Sequence, residues 1–292
     1  MKNNPLTKNK RTISFIKISA TGNDFILFDN RNGCFSGNEH DFFRHICQRR
    51  LSVGADGILL IENSERHDFS LRYFNSDGNI GEMCGNGARA ASFYAHQRGF
   101  ASAKLSFDVL GVAYRATVKA DWVELLMPPP VEIREYPGAL EEDDYEEGGY
   151  LNVGVPHYVI FVPDVDAVDV ESIGRKYRFH QAFKPWGTNT NFVQIINSNT
   201  IKIRTYERGV EEETLACGTG TISSAIMAAK QKGLSLPLEV NARGGALRVN
   251  FDEEITEISL EGQVKIVYEG ELILNDSLRL TKNDRMINGR MI

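Results

Sequence analysis

Two cysteines stand in the same local pattern at widely separated places in the chain. Cys84 begins the run Cys-Gly-Asn-Gly and Cys217 begins the run Cys-Gly-Thr-Gly, and each run leads into small residues that predict a buried helix. The first N–H groups of a helix have no partner within it, and the helix dipole makes that end positive. Glycines let a ligand approach this bare backbone. Each run therefore predicts an anion site, for a carboxylate or a phosphate, beside a thiol whose ionised form the same field favours.

A cysteine in front of a helix is, taken alone, more often a packing residue, because free cysteines are among the most buried side chains. Packing does not require cysteine at the same place twice, so the repetition favours a chemical role for Cys84 and Cys217. Cys34 and Cys47 have no such counterparts and are interpreted as packing residues. The absence of any Cys-x-x-Cys spacing argues against a zinc ribbon or a thioredoxin-like site.

Two thiols beside one carboxylate substrate predict a particular reaction. One thiolate removes the proton of the α-carbon, and the other thiol delivers a proton to the opposite face. The α-proton of an amino acid is very weakly acidic, so the backbone N–H groups have to stabilise the charge that grows on the carboxylate. Exclusion of water strengthens that field and retains the protons. The sequence thus predicts stereochemical inversion by Cys84 and Cys217.

The cysteine runs belong to a longer internal repeat. Residues 72–99 and 204–233 each contain a strand ending in an aromatic and a polar residue, a polar loop, Cys-Gly-x-Gly, and a small-residue helix stopped by a basic residue and glycine. Two strands separated by glycine follow each helix, and upstream the segment 22–25 is similar to 188–192. We infer a duplicated unit.

The duplication predicts the fold class and the position of the site. We expect an α/β (α+β) protein with two pseudo-symmetric lobes, each a curved β-sheet or barrel wrapped around a central helix. The central helices are expected at about Ala88–Arg98 and Thr221–Lys232, where apolar residues on most faces require surrounding structure. The active site is expected in the cleft between the lobes, with one cysteine from each.

Composition at mid-chain predicts the boundary between the lobes. Three consecutive prolines, Pro128 to Pro130, stop a strand, and the acidic stretch 141–149 is interpreted as a solvated connector. The predicted segments are an N-terminal lobe at 13–129, completed by about 270–282 from the C-terminus, and a C-terminal lobe at 130–269. Loosely ordered tails are predicted at 1–12 and 283–292.

Length and composition are those of an ordinary folded chain. It has 292 residues, of which 42% are hydrophobic and 25% charged, as in one large domain or two medium ones. No apolar run approaches the ~18 residues of a membrane helix, and the N-terminus lacks the apolar core of a secretory signal. The net charge of −6 argues against a broad nucleic-acid-binding surface. We expect a cytoplasmic protein with a small-molecule ligand and neither nucleic-acid nor membrane partners, and a homodimer stays open.

Several further motifs resemble the diaminopimelate epimerase family, which acts without pyridoxal phosphate in lysine and peptidoglycan precursor synthesis. The resemblance extends from about Phe15 to Leu272, and the pair MCGNGAR plus ACGTG is its most specific part. It implies epimerisation of the small amino acid LL-diaminopimelate to meso-diaminopimelate with neither cofactor nor metal. The matching segments are TGNDF (21–25), GADG (54–57), RYFNSDG (72–78), MCGNGAR (83–89), PHYV (156–159), NTNFVQ (189–194), YERG (206–209) and ETLACGTGT (213–221).

The resemblance also implies a role for each matching residue. Cys84 and Cys217 are the implied acid and base, and His157 and Glu207 the implied groups that assist the thiols. Arg208 suits a carboxylate at the distal end of the substrate, which it can bind through two hydrogen bonds. The implied substrate-binding residues are Asn23, Asn75, Gly85, Asn86, Asn189, Arg208, Gly218 and Thr219.

Two alternatives stay open at the level of the sequence. A proline or hydroxyproline racemase-epimerase would use the same cysteine pair, but its ring substrate has no distal carboxylate for Arg208, and proline racemases typically have histidine where this chain has Asn86. A non-catalytic anion-binding or redox-sensing protein would bind a ligand without exchanging an α-proton. The cysteine runs lack the lysine and Ser/Thr of a nucleotide-binding P-loop, which argues against a nucleotide ligand.

Overall fold

The computed structural model describes residues 11–136 and 148–274, together with the backbone of 286–287 and 290–291. Of the predicted acidic connector at 141–149, only Gly148 and Gly149 lie within the described residues, and they begin a strand. The described residues form both helices and strands, which confirms the predicted mixed α/β class.

The chain divides into two compact units, and each contains one of the two cysteine runs. The chain passes from one unit to the other at four points. Two of them enclose the short segment Ala20–Asn23, and the other two lie within the strands β6 (Val112–Lys119) and β16 (Ile258–Leu274). Unit 1 consists of Met1–Ser19, Asp24–Tyr114 and Lys265–Ile292, and unit 2 of Ala20–Asn23 and Arg115–Val264.

Unit 1 is a mixed sheet with two helices. Besides β6 and β16, its elements are β1 (Arg11–Ala20), β2 (Asn23–Asp29), α1 (His40–Cys47), β3 (Gly57–Glu62), β4 (Phe69–Asn75), α2 (Gly85–Gln97) and β5 (Lys104–Val109). The strands follow the order β16-β1-β2-β3-β4-β5-β6, with β2 parallel to β3, β3 antiparallel to β4, and β4 parallel to β5. A separate two-stranded ribbon pairs β17 (Met286–Ile287) with β18 (Arg290–Met291).

Helix α2 is buried along most of its length, from Asn86 to Ala95. Its alanines and glycines present little bulk, so strands β3 and β4 can contact it closely. The predicted helix at about Ala88–Arg98 is confirmed, but it begins three residues earlier, because Cys84 takes the extended N-cap conformation directly before Gly85. The cysteine is thus part of the helix boundary rather than of a separate loop.

Unit 2 has the longer sheet. Besides β6 and β16, its elements are β7 (Trp122–Met127), β8 (Glu132–Tyr136), β9 (Gly148–Asn152), β10 (Pro156–Phe161), α3 (Val170–Arg178), a 3-10 helix (Gln181–Phe183), β11 (Asn189–Asn197), β12 (Thr200–Glu207), β13 (Glu212–Thr214), α4 (Gly218–Lys232), β14 (Leu238–Ala242) and β15 (Gly245–Phe251). The strands follow the order β6-β7-β16-β15-β14-β12-β11-β10-β9-β8, with β13 paired to β12. Two of the strand pairs, β10 with β11 and β12 with β14, are parallel.

Helix α4 is the counterpart of α2 in unit 2. It is buried from Gly220 to Ala228 and contacts strands β9, β10, β11, β12, β14 and β15. The helix predicted at about Thr221–Lys232 therefore exists and is enclosed by sheet, although it too begins three residues earlier, at Gly218. It ends at Gly233, which adopts the left-handed conformation with φ 65° that glycine accepts without strain.

The order of elements shows the internal repeat directly. In unit 1 the series is β2-α1-β3-β4-α2-β5-β6, and in unit 2 it is β10-α3-β11-β12-α4-β14-β15. Both series have the same alternation of parallel, antiparallel and parallel pairing. One detail of the predicted repeat is wrong. The segment 22–25 leads into β2, whose counterpart in unit 2 is β10. The segment 188–192 instead leads into β11, whose counterpart in unit 1 is β3. The two Asn-rich segments are therefore similar in sequence but belong to strands that are not equivalent in the repeat.

None of the helices among the described residues is both long enough and apolar enough to cross a membrane.

Candidate active site

The two cysteines have nearly the same backbone conformation at the same kind of place. Cys84 caps helix α2 with φ −111° and ψ 111°, and Cys217 caps helix α4 with φ −115° and ψ 115°. Their carbonyl groups accept the first helical hydrogen bonds, from Ala88 N at 2.8 Å and from Thr221 N at 2.9 Å. The N–H groups of residues 85–87 and 218–220 therefore lie at the positive ends of the two helix dipoles, as an anion site requires.

In unit 1 the capping thiol lies beside a buried cation. The Cys84 sulfur accepts a hydrogen bond from Gly87 N at 3.4 Å. The side chain of Arg89 is fully buried, and its Nη2 donates to Asn86 Oδ1 at 2.7 Å. Burial lowers the pKa of Arg89 to about 10, and the negative charge of an ionised Cys84 opposes that fall. Arg89 is therefore still protonated at neutral pH, and its charge interacts with that of an ionised Cys84.

In unit 2 a row of side chains connects strand β11 to the capping thiol. His157, on β10, has no exposed surface, and its Nε2 lies 2.9 Å from Thr219 Oγ1. The same hydroxyl oxygen lies 3.4 Å from Cys217 Sγ. On the other side of the ring, Nδ1 lies 3.0 Å from Asn191 Nδ2. The Cys217 thiol thus lies beside the Thr219 hydroxyl, which in turn lies beside the His157 imidazole.

His157 is neutral in the folded protein. Burial and, to a smaller extent, the positive charge of Arg208 lower the pKa of His157 to about 3, although the hydrogen bond to Asn191 opposes the fall. At neutral pH the ring therefore carries one proton, on one of its two nitrogens, and its neighbours decide which. The ring can then act as a fixed hydrogen-bond donor on one side and acceptor on the other.

Asn189 and Arg208 are joined through the backbone. Asn189 Nδ2 donates to Pro156 O at 2.8 Å, and Asn189 Oδ1 accepts from Arg208 N at 2.7 Å. Asn189 is also the register partner of His157 in the parallel pair β10–β11. This buried amide therefore fixes the chain at Arg208, whose Nη1 donates to Trp186 O at 3.3 Å.

Glu207 and Asn23 lie near the segment that leads to Cys217. Glu207 Oε2 accepts from Thr214 Oγ1 at 2.9 Å. The turn before Asn23 packs tightly, since a Cβ at Gly22 would lie 2.8 Å from Gly244 Cα and 3.2 Å from Leu215 Cβ. Both residues are therefore close in space to the chain just before the capping cysteine.

The predicted site residues thus fall into two groups. Asn75, at the end of β4, lies in the same unit as the α2 cap, and the larger set lies in the same unit as the α4 cap. Unit 1 contains Asn75, Cys84, Gly85 and Asn86, and unit 2 contains Asn23, His157, Asn189, Glu207, Arg208, Cys217, Gly218 and Thr219.

Three residues in these groups were missed from the sequence. Asn191 and Thr205 are buried and bonded to each other, with Thr205 Oγ1 donating to Asn191 Oδ1 at 3.0 Å, and Arg89 is the buried cation of α2. A signal existed for Asn191, because alternate residues of a strand share a face, and Asn189 lies two positions earlier. For Arg89 the signal was its position in the MCGNGAR motif, as a charged residue among small apolar ones.

Comparison with known sequences finds the same family in both halves of the chain. A family model for diaminopimelate epimerase matches residues 15–131 and again residues 149–267, which confirms the internal duplication. The diaminopimelate epimerase of Aquifex aeolicus is 41% identical over 274 residues, covering 89% of this chain and 98% of that protein. The enzyme of the same name from Chlorobaculum tepidum is 40% identical over 266 residues, covering 88% of this chain and 100% of the relative.

Comparison with solved structures supports the fold. A Bacillus anthracis phenazine biosynthesis protein of the PhzF family has a TM-score of 0.72 at 16% identity and covers 90% of this chain and 100% of its own. A hydroxyproline epimerase from Agrobacterium vitis, with bound trans-4-hydroxy-L-proline, has a TM-score of 0.60 at 12% identity and covers 93% and 95%. At such identities these structures share the architecture alone. The two matches of the family model and the similarity over nearly the full length of named relatives show that this chain belongs to the diaminopimelate epimerase family.

Proposed function

We propose that this protein interconverts LL-diaminopimelate and meso-diaminopimelate by two-base proton transfer. Relatives at 41% and 40% identity bear the name of this activity. The main structural support for this chemistry is that Cys84 and Cys217 cap two helix N-termini with nearly the same backbone conformation. A structural cysteine needs no such repetition, whereas inversion at one carbon needs two proton-transfer groups.

The proposed step conserves protons and electrons. One cysteine, as a thiolate, takes the α-proton, and the C–H bond pair passes into the carboxylate as an enediolate forms. The other cysteine, as a thiol, gives its proton to the opposite face of the carbon and becomes a thiolate. The N–H groups at the helix starts, at Gly85-Asn86 and Gly218-Thr219, stabilise the charge on the carboxylate. The step as written uses no cofactor and no metal.

The distal end of the substrate carries an ammonium group and a second carboxylate. We propose that Arg208 binds that carboxylate, and that Asn23, Asn75, Asn189 and Glu207 complete the contacts. The hydrogen bond from Arg208 N to Asn189 Oδ1 supports this assignment, because it fixes the backbone from which the guanidinium extends. His157 and Glu207 assist the thiols in this proposal.

The proposal is tested by hydrogen exchange during turnover. The protein is incubated with LL-diaminopimelate in heavy water, and NMR follows the loss of the α-proton signal while chiral chromatography follows the meso product. We expect deuterium at Cα together with formation of the meso isomer. Parallel incubations with L-proline and trans-4-hydroxy-L-proline test the racemase alternative, which is favoured instead if only these substrates exchange. Ligand binding without exchange of any α-proton would support a sensor and contradict the proposal.

Both cysteines are predicted to be necessary. Cys84→Ala and Cys217→Ala should each reduce epimerisation to background, because inversion requires a group on each face of the carbon. Cys34→Ala, which changes a thiol of the unit 1 core, is the matched control and should retain near-native turnover. Near-native epimerisation by either Cys84→Ala or Cys217→Ala would contradict a mechanism with one cysteine for each face.

We further propose that the enzyme acts in the cytoplasm. All four cysteines are free thiols, as a reducing compartment maintains them. Chromatography of cell fractions followed by the exchange assay tests this assignment.

A further inference from the structure

We propose that Asn191 is a positioning residue that fixes the proton of His157 on Nε2 and so directs a hydrogen bond onto the sulfur of Cys217. No earlier step in the proposed reaction involves Asn191. The kinetic part of this inference rests on the proposed function, whereas its structural part concerns the tautomer of one imidazole ring and stands independently.

The orientation of the Asn191 amide is determined by the backbone carbonyl of Tyr158. Asn191 Nδ2 lies 3.4 Å from the carbonyl oxygen of Tyr158, which can only accept a hydrogen bond. Asn191 Oδ1 accepts from Thr205 Oγ1 at 3.0 Å. The NH₂ end of the amide therefore faces Tyr158 and His157, and the oxygen faces Thr205. All of these groups are buried, so water does not compete for them.

The direction of the remaining hydrogen bonds follows from that orientation. Because an amide NH₂ only donates, His157 Nδ1, 3.0 Å away, has to accept and carries no proton. The single proton of the neutral ring is then on Nε2, which donates to Thr219 Oγ1 at 2.9 Å. The hydroxyl proton of Thr219 is left to point at Cys217 Sγ, 3.4 Å away. The chain of donors ends on the sulfur.

A glycine keeps this chain intact at the start of helix α4. A Cβ at Gly220 would lie 2.4 Å from Asn191 Oδ1 and 3.3 Å from His157 Cε1, so the first turn of the helix approaches the amide and the ring without a side chain between them. The buried ring is also held neutral by its surroundings, which removes the alternative in which both nitrogens carry protons. The geometry leaves one position for the proton of the His157 ring.

This arrangement favours the form of Cys217 that removes a proton. A hydrogen bond donated to a thiolate stabilises the charged form, while the opposite tautomer of His157 would accept the Thr219 proton and leave the sulfur without that donor. Asn191 thus acts on the reaction through His157 and Thr219, without touching the substrate.

The first test reads the tautomer directly. The full-length protein is labelled with ¹⁵N-histidine, and the ring signals of His157 are assigned, among six histidines, by their loss in His157→Gln. We expect a protonated Nε2 and an unprotonated Nδ1 in the wild type. In Asn191→Asp the carboxylate can only accept, so Nδ1 should become protonated. Asn30→Asp is the matched control, because it changes another buried asparagine, in unit 1, and should leave the His157 signals unchanged.

The second test measures turnover of LL-diaminopimelate. Asn191→Asp and Thr219→Val should each lower kcat by about 10- to 100-fold, the effect of one hydrogen bond to a charged group, with a much smaller change in KM. Thr219→Ser keeps the hydroxyl and should recover most of the turnover lost in Thr219→Val. If Asn191→Asp does not fold, the Thr219 pair together with the wild-type tautomer decides the question.

The outcomes separate this inference from the proposed function. A wild-type enzyme that epimerises diaminopimelate but carries the His157 proton on Nδ1 overturns the role of Asn191 and leaves the proposed function standing. A protein that does not epimerise diaminopimelate contradicts the proposed function, and the tautomer experiment then still decides the structural part. Equal kcat for Thr219→Val and wild type overturns the hydrogen bond to Cys217.

Discussion

At the scale of single residues, His157 combines complete burial with a strongly shifted titration. Burial lowers the pKa of His157 to about 3 from 6.5, so that the unfolded chain takes up a proton before the folded protein does as the pH falls. The stability contribution of neutral His157 is complete above about pH 6.5 and is lost as the pH falls from there towards about 3, at about 1.4 kcal/mol for each pH unit.

The expected result is a smaller acid sensitivity when this residue cannot titrate. Between pH 7 and pH 5 the free energy of unfolding of His157→Gln should fall by about 2 kcal/mol less than that of the wild type. Urea titrations at both pH values, followed by circular dichroism, measure the difference. Equal falls in the two proteins would mean that His157 titrates normally in the folded state.

Arg208 is predicted to recognise its carboxylate through shape as well as charge. Lysine keeps the charge but not the planar fork, so Arg208→Lys should lose about 2–3 kcal/mol of binding, which lowers kcat/KM for diaminopimelate roughly 30- to 150-fold. Steady-state kinetics provide the measurement, with the exposed Arg175→Lys as control. A value for Arg208→Lys within twofold of the wild type would identify Arg208 as a surface residue without a role in binding.

At the scale of elements, helices α2 and α4 have matching caps but differ five residues after the cysteine. Unit 1 has Arg89 at that position and unit 2 has Ile222, and both side chains are fully buried. The charge of an ionised Cys84 favours protonated Arg89, and by reciprocity Arg89 favours the Cys84 thiolate. The repeat therefore supports its two thiols differently, by a buried cation in unit 1 and by the Thr219 hydroxyl in unit 2.

This difference predicts a selective effect of Arg89→Met on thiol reactivity. The rate of alkylation of Cys84 by iodoacetamide at pH 8 should fall about fivefold, because the thiolate loses a cation in a low-dielectric site. Cys217, measured by mass spectrometry in the same sample, is the internal control and should react at its wild-type rate. A parallel loss of reactivity at both cysteines would point to general unfolding instead.

At the scale of the whole molecule, the four thiols differ in environment. Burial raises the pKa of Cys47 to about 12, and burial together with the charge of Glu39 raises the pKa of Cys34. Cys84 and Cys217 instead cap helix N-termini, where the field favours the thiolate. The chain thus keeps two cysteines as apolar packing groups and places two where they can ionise.

Alkylation of the native protein should follow this division. At pH 8 iodoacetamide should label the half-buried Cys84 first and Cys217, which is 7% exposed, next, while Cys34 lags and Cys47 reacts only after unfolding in urea. Peptide mapping at successive times gives the order. Labelling of Cys47 in the native protein as fast as Cys84 would contradict the assignment of Cys47 to the core.

Local patterns in the chain were enough to predict much of this protein. The duplicated Cys-Gly-x-Gly runs, the buried helices behind them and the mixed α/β class all follow from residues close in sequence, since caps, helix faces and strand alternation are local properties. The family followed from the same runs. The helix starts were placed three residues late because a cysteine is not a usual cap, and its role appears only in the backbone conformation.

The other features of the fold and of the candidate site depend on contacts between strands that are distant in the sequence. The parallel pairing of β10 with β11 brings His157 and Asn191, 34 residues apart, to within hydrogen-bond distance, and the start of α4 adds Thr219. Strand pairing also corrected the upstream part of the repeat, and the packing around helix α2 showed Arg89 to be a buried cation. Such relations depend on which strands pair and in which register, which the packing of the whole chain decides and no short stretch of sequence encodes.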